Sequence, residues 1–211
     1  MSIPNDTANA VDTITLVRQA KAQLPNDSRA FEALVEPYVL TLQKFCTNFL
    51  RSESAAQDCT QEILIKAFHG LKSFEEKASF KTWIFRIAHN HCVDTYRKIM
   101  REKDYFSDIA DDAIPDIAEE QSSEPEANIH DVLALLEASD REILLLRYVE
   151  GHSIEEVQTI MNLGKSAVKM RCARAIERVR ELIREGSNLI TLSSIPLLMC
   201  IFSDAFDATF I

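Results

Sequence analysis

The sequence predicts an all-α protein: two small helical domains joined by an acidic, flexible linker. Three observations lead there. Glycine is scarce, with 4 in 211 residues, and β-branched runs are few, a composition that suits helices better than sheet. Apolar residues recur at three- and four-residue steps, as in Phe31, Leu34, Val35, Tyr38, Leu42, Phe45, Cys46 and Phe49, the period of a helix with one buried face. Residues 104–127 hold nine acids and no base. That stretch also contains Pro115 and Pro125, and like charge at this density cannot pack on itself.

The elements follow in order. Residues 1–10 read as a disordered lead, polar and acidic, without a signal-peptide pattern. A short helix is expected over 11–23, broken by Pro25-Asn26-Asp27, with Asp27 or Ser28 capping the next. Pro37 predicts a kink or a split in that second helix. Ser54 and Gln57 form a capping-box pattern opening a helix over about 55–69, ended by Gly70. Residues 71–80 lack a period and read as a loop, and a further helix spans about 80–101. Beyond the acidic stretch come a helix over 128–138, a capping box Ser139–Glu142 opening a second, and a capping box Ser153–Glu156 opening a third. Asn162-Leu163-Gly164 reads as a tight turn before a basic helix over about 165–185.

The net charge of −10, read as a sum, argues against a nucleic-acid partner, but the nine acids of residues 104–127 account for most of it. The remainder carries −1, and its bases cluster at 81–103 and 165–184, so an acidic total conceals two basic faces. Five cysteines at 46, 59, 92, 172 and 200 form no CxxC pair and read as small apolar side chains in a reducing compartment. His89, His91 and Cys92 do not share one helical face and lack an evident fourth ligand, so no metal or other cofactor is expected. No phosphate-binding glycine loop or nucleophile motif appears, which points away from catalysis.

The last three segments carry the clearest message. A short acidic helix, a tight turn and a basic helix make a helix-turn-helix. Lys165, Ser166, Lys169, Met170, Ala173 and Arg174 are expected to face outward near the start of the second helix, where base edges are read. Arg171 and Arg178 extend its basic surface. Glu177 and Glu181 could instead neutralise neighbouring arginines and leave a merely solvated face.

Here the sequence resembles a known family. Residues 139–182, with Asp140-Arg141-Glu142, Glu155-Glu156-Val157, Val168-Lys169, Arg171 and Arg174-Ala175, are similar to region 4 of extracytoplasmic-function RNA polymerase sigma factors. Residues 31–98 resemble region 2, most strongly at Asp58-Cys59-Thr60-Gln61-Glu62 and from Phe80 through Trp83 and Arg86 to Asn90. The resemblance implies a promoter-recognition subunit and not an enzyme. Residues 11–103 would dock on core polymerase and bind the −10 element; residues 128–186 would bind the −35 duplex.

It further implies docking on the β′ clamp helices by Asp58, Gln61, Glu62 and Lys66, and contact with the β flap. Capture of unstacked −10 bases needs stacking and basic contacts. The candidates are Lys72, Phe74, Lys77, Lys81, Arg86, Asn90, Arg97, Lys98 and Arg101, with Trp83 expected in the core. The implied partners are core RNA polymerase, duplex and single-stranded promoter DNA and an anti-sigma factor, with no small-molecule substrate. The implied location is the cytoplasm, or the inner membrane where an anti-sigma factor holds the protein. The linker would run towards the RNA exit channel, its acids imitating a nucleic-acid backbone. The apolar extension 187–211 departs from the pattern and has no assigned role. A stand-alone helix-turn-helix regulator and a protein-only adaptor are the competing readings.

Overall fold

Every regular element among the described residues, 6–107, 133 and 135–184, is helical in this computed structural model. The first group holds α1 (Asp6–Gln23), α2 (Arg29–Leu50), α3 (Glu53–Gly70) and α4 (Phe80–Ser107). The second holds α5 (Ala138–Leu144), which continues into a π-helical turn (Leu145–Val149), then α6 (Ile154–Met161) and α7 (Lys165–Arg184). Of the helix expected over 128–138, only Leu133 and residues 135–138 are described; the remainder, with residues 108–132 and the 187–211 extension, lies outside the described residues.

Local chemistry explains most helix ends. Asp27 accepts the backbone N–H of Arg29 at 3.0 Å, so it supplies the acceptor for the first turn of α2 while Ser28 at the N-cap makes no side-chain cap bond. The expected split at Pro37 does not occur, because α2 runs unbroken through it. Pro37 and Ala33 are both exposed, so water can reach the carbonyl left without its helical N–H partner. Ser52, not Ser54, caps α3, accepting from Ala55 N–H at 3.3 Å. Gly70 closes α3 where an added Cβ would lie 3.3 Å from the Trp83 ring, so the glycine there allows close approach to α4.

The capping box at the start of α6 forms completely: Ser153 Oγ accepts from Glu156 N–H at 3.2 Å, and Glu156 accepts from Ser153 N–H at 2.9 Å. Asn162 then takes the left-handed conformation, φ 52°, which turns the chain into α7. The box expected at Ser139–Glu142 is not built. The helix starts two residues earlier, with Glu137 at its N-cap, and Glu142 is buried against another element.

Phe45, Phe85, Leu34, Leu42, Ile63 and Ile84 are buried at the centre of the first group, and Ile143, Leu145, Leu146 and Ile160 in the second. The two groups touch. Helix α6 packs along α4, and α5 meets α2. Arg141 crosses this seam. It donates to the carbonyls of Leu133 (2.8 Å) and Leu136 (2.7 Å) in its own group and of Phe49 (2.8 Å) at the end of α2. The last carbonyls of a helix lack intrahelical partners and carry the negative end of its dipole, so a buried guanidinium there joins the two groups.

Candidate nucleic-acid interface

On α3, Asp58, Gln61, Glu62 and Lys66 are all exposed. Their spacing places them on one face, with Cys59, Thr60, Ile63 and Ala67 buried on the opposite one. Ile65, half-exposed at 50%, lies within the same polar surface. Position alone points to it: Ile65 stands four residues after Gln61, on the same helical face. Lys66 Nζ reaches His91 Nδ1 on α4 at 2.6 Å.

On α7, Val168, Ala175, Ile176 and Val179 face inward. Lys165, Ser166, Ala173, Arg174 and Arg178 are exposed, Lys169 is half-buried, and Met170 is 64% exposed. Lys165 pairs with Glu155 of α6 at 2.9 Å. Lys169 and Arg174 make no ion pair among the described residues. The far half of the helix differs: Arg178 pairs with Glu181 at 3.3 Å, Arg180 with Glu177 at 3.1 Å, and Arg184 with Glu177 at 3.3 Å. The neutralising pairs foreseen from sequence are therefore present, but only beyond the part that a recognition helix uses to read bases. Arg171 is turned towards α5, half-buried, where its charge acts on Glu142, unlike its outward neighbours.

The expected −10 residues divide into three sets. Lys72 and Lys77 are exposed in the turn after α3, and Lys77 pairs with Glu75. Arg86, Asn90, Arg97, Lys98 and Arg101 are exposed along α4. Phe74 and Lys81 are placed otherwise. Phe74 is buried at 6% exposure, with ring centroids 5.1 Å from Trp83 and 6.1 Å from Phe80, beneath Lys21 of α1. It is a core aromatic in this conformation, not a platform presented to a base. Freeing it would expose apolar surface costing about 2 kcal/mol. Half-buried Trp83 packs between Phe74 and Phe80.

Lys81 belongs to the seam between the groups, donating to the carbonyl of Glu150 at 2.6 Å. Beside it Thr82 donates to Glu156 Oε1 at 2.8 Å. His89 meets Glu142 through a short contact, and His152 packs edge-on against Phe85 at 4.8 Å. The three groups His89, His91 and Cys92 thus go to three different neighbours: Glu142, Lys66, and the thiols of Cys46 and Cys59.

This seam is sensitive to protons in two opposing ways. Burial pushes His152 down to about 4, helped by the nearby Lys81 charge and opposed by Glu156. Burial pushes Glu150 up to about 7 against the pull of Lys81 and Lys44, and raises Glu142, with His89 and Arg171 pulling the other way. A depressed histidine favours the separated form as pH falls from 6.5 towards 4, because only the separated form takes the proton readily. A raised carboxyl has the other sign: the closed form keeps a proton that the separated form releases, so closure weakens as pH rises from 4.5 towards 7. Accordingly, His152→Phe is expected to move the pH of tightest closure downward and Glu150→Gln upward, measured by small-angle scattering across pH 4–8.

Two family models match this chain, Sigma-70 region 2 over residues 34–102 and Sigma-70, region 4 over residues 126–179. The sigma-H factor of Pseudomonas aeruginosa is 32% identical over 178 residues, which cover 76% of this chain and 91% of that one. The chain belongs to the extracytoplasmic-function RNA polymerase sigma factors. The sigma factor SigW of Bacillus subtilis is 28% identical over 183 residues, 80% of this chain and 96% of its own. Among solved structures, that of CnrH in complex with the cytosolic domain of CnrY matches with a TM-score of 0.61 at 25% identity, covering 83% of this chain and 99% of that one. That of the sigma factor RpoE with the anti-sigma factor NepR from Bartonella quintana matches at 0.60 and 25%, covering 73% and 96%. The function is that of an alternative sigma factor, not of a stand-alone regulator. No described helix of this sigma factor is long and apolar enough to cross a membrane.

Proposed function

We propose that residues 11–103 of this sigma factor dock on the β′ clamp helices of core polymerase and hold the −10 element. Residues 128–186 hold the −35 duplex and meet the β flap, with 104–127 as the acidic tether. The observation that carries this reading is a pair of separate solvent-facing surfaces: Asp58, Gln61, Glu62 and Lys66 around Ile65 on α3, and Lys165, Ser166, Lys169, Met170, Ala173 and Arg174 on α7. Arg171 and Arg178 flank the second. Lys72, Lys77, Arg86, Asn90, Arg97, Lys98 and Arg101 offer backbone contacts to single-stranded −10 DNA, joined by Lys81 once the seam opens.

Opening is required by length. The two elements lie twenty-five base pairs apart by name, about 85 Å along B-form duplex, whereas the two groups here are in direct contact. The 24 residues of the acidic stretch reach at most about 80–86 Å when extended, enough to let both elements be held. The closed form is the resting one, and an anti-sigma factor that embraces both groups maintains it, as partners of this kind accompany the solved relatives. The protein catalyses nothing itself and works in the cytoplasm, where core polymerase supplies the chemistry.

The docking face is tested directly. Asp58→Arg combined with Glu62→Arg is expected to weaken binding to purified core polymerase at least about tenfold, since opposed charges at an interface both steer and select. The helical signal should be unchanged. Unaltered affinity would remove α3 from the docking surface.

A further inference from the structure

Three cysteines from three different helices converge in the core of the first group. Cys92 Sγ of α4 lies 3.6 Å from Cys46 Sγ of α2 and 3.5 Å from Cys59 Sγ of α3, and all three sulfurs fall within 4.8 Å of one another. Their exposures are 0%, 2% and 0% for Cys46, Cys59 and Cys92. Sulfurs bound tetrahedrally at about 2.3 Å to one zinc ion stand about 3.8 Å apart, so these thiols are already spaced as ligands to a single atom. No fourth histidine, cysteine or carboxylate completes the group among the described residues. The neighbouring Thr60 hydroxyl is committed to the Ala56 carbonyl at 2.7 Å.

We propose that Cys46, Cys59 and Cys92 form a binding site for a three-coordinate, trivalent thiophile of the arsenite class. Charge selects it. Three thiolates around a trivalent centre make a neutral complex, whereas zinc would leave one negative charge and monovalent copper two, in a core that heavily penalises net charge. A structural zinc site also asks for a fourth ligand. The step is a ligand exchange: As(OH)3 and three Cys–SH give As(S–Cys)3 and three waters. Three As–O and three S–H bonds break, three As–S and three O–H bonds form, and arsenic stays trivalent without electron transfer. One atom then ties α2, α3 and α4 together.

The test uses the full-length chain, reduced with a phosphine so that no added dithiol competes, and sodium arsenite as the probe. Native mass spectrometry is expected to show one arsenic per chain in place of three hydrogens. The melting temperature should rise by about 5 °C or more at a hundredfold excess over Kd. The Cys172→Ser/Cys200→Ser double variant keeps the adduct. Cys46→Ala, Cys59→Ala and Cys92→Ala each weaken it about a hundredfold or more, because each removes one of three linked bonds. Should those variants fail to fold, arsenic X-ray absorption on the unaltered chain decides, with three sulfur neighbours expected. Absence of the adduct, its retention in all three single variants, fewer than three sulfur neighbours, or stoichiometric zinc binding that excludes arsenite would each overturn the proposal.

Discussion

Reversing charge at Lys169 and Arg174 together, as Lys169→Glu with Arg174→Glu, is expected to lower the affinity of the polymerase complex for a −35 element by about a hundredfold or more. Both residues lie in the half of α7 that carries no internal ion pair at these positions, next to exposed Met170 and Ala173. A base or phosphate contact is worth about 1–3 kcal/mol, and each reversal adds repulsion from the phosphates. Binding to core polymerase should not change, because the α3 face is untouched. Arg180→Glu should cost far less, since Arg180 is already held by Glu177 and must first be released to reach DNA. Mobility-shift titrations of assembled polymerase on promoter duplex, repeated over salt, measure both effects, and the double variant should also show a shallower salt dependence. Equal losses from the two variants would mean that α7 acts only as a diffuse basic surface.

The second large effect is expected at Arg141. Arg141→Met leaves the carbonyls of Phe49, Leu133 and Leu136 without the guanidinium that now binds them. Of these, only the Phe49 carbonyl lies across the seam, and a buried unpaired group costs about 1–3 kcal/mol, so closure should lose about that much, a shift of roughly five- to a hundredfold towards separated groups. Arg141→Lys should not rescue it, because an ammonium cannot reproduce the planar fork that spans carbonyls from two groups. Small-angle scattering would show a larger radius of gyration, and protease would cut the acidic stretch faster. A scattering curve identical to that of the unaltered chain would show that other contacts dominate the seam.

What the sequence revealed, and what it concealed, follows from the range of the interactions involved. The box at Ser153 and Glu156 was legible because both bonds are made within four residues. The same pattern at Ser139 and Glu142 was misleading. Glu142 is taken by His89, 53 residues away, and a distant partner overrides a local cap without leaving a trace in the local sequence. Phe74 was expected to meet DNA because it sits in an aperiodic loop, yet the aromatic rings of Phe80 and Trp83 bury it.

The inward Val168 and Ile176 of α7 were readable from spacing, and so was the outward set opposite them; Ala175 and Val179, also buried, complete the inward face. Arg171 was not, because it stands on the flank, where helical period alone does not decide exposure. The thiol cluster was invisible for the same reason as the seam: Cys46, Cys59 and Cys92 come from three helices, and no spacing motif joins them.

On the function proposed above, this chain gives core RNA polymerase its promoter choice through two separated surfaces. Run-off transcription from a panel of promoters, with purified core polymerase alone and with this protein added, tests it most directly. Discrete start sites are expected only when the protein is present, lost with Lys169→Glu and Arg174→Glu and lost again with Asp58→Arg and Glu62→Arg. Transcription from core polymerase that gains no start site on addition of the protein, or start sites that survive both pairs of substitutions, would contradict it.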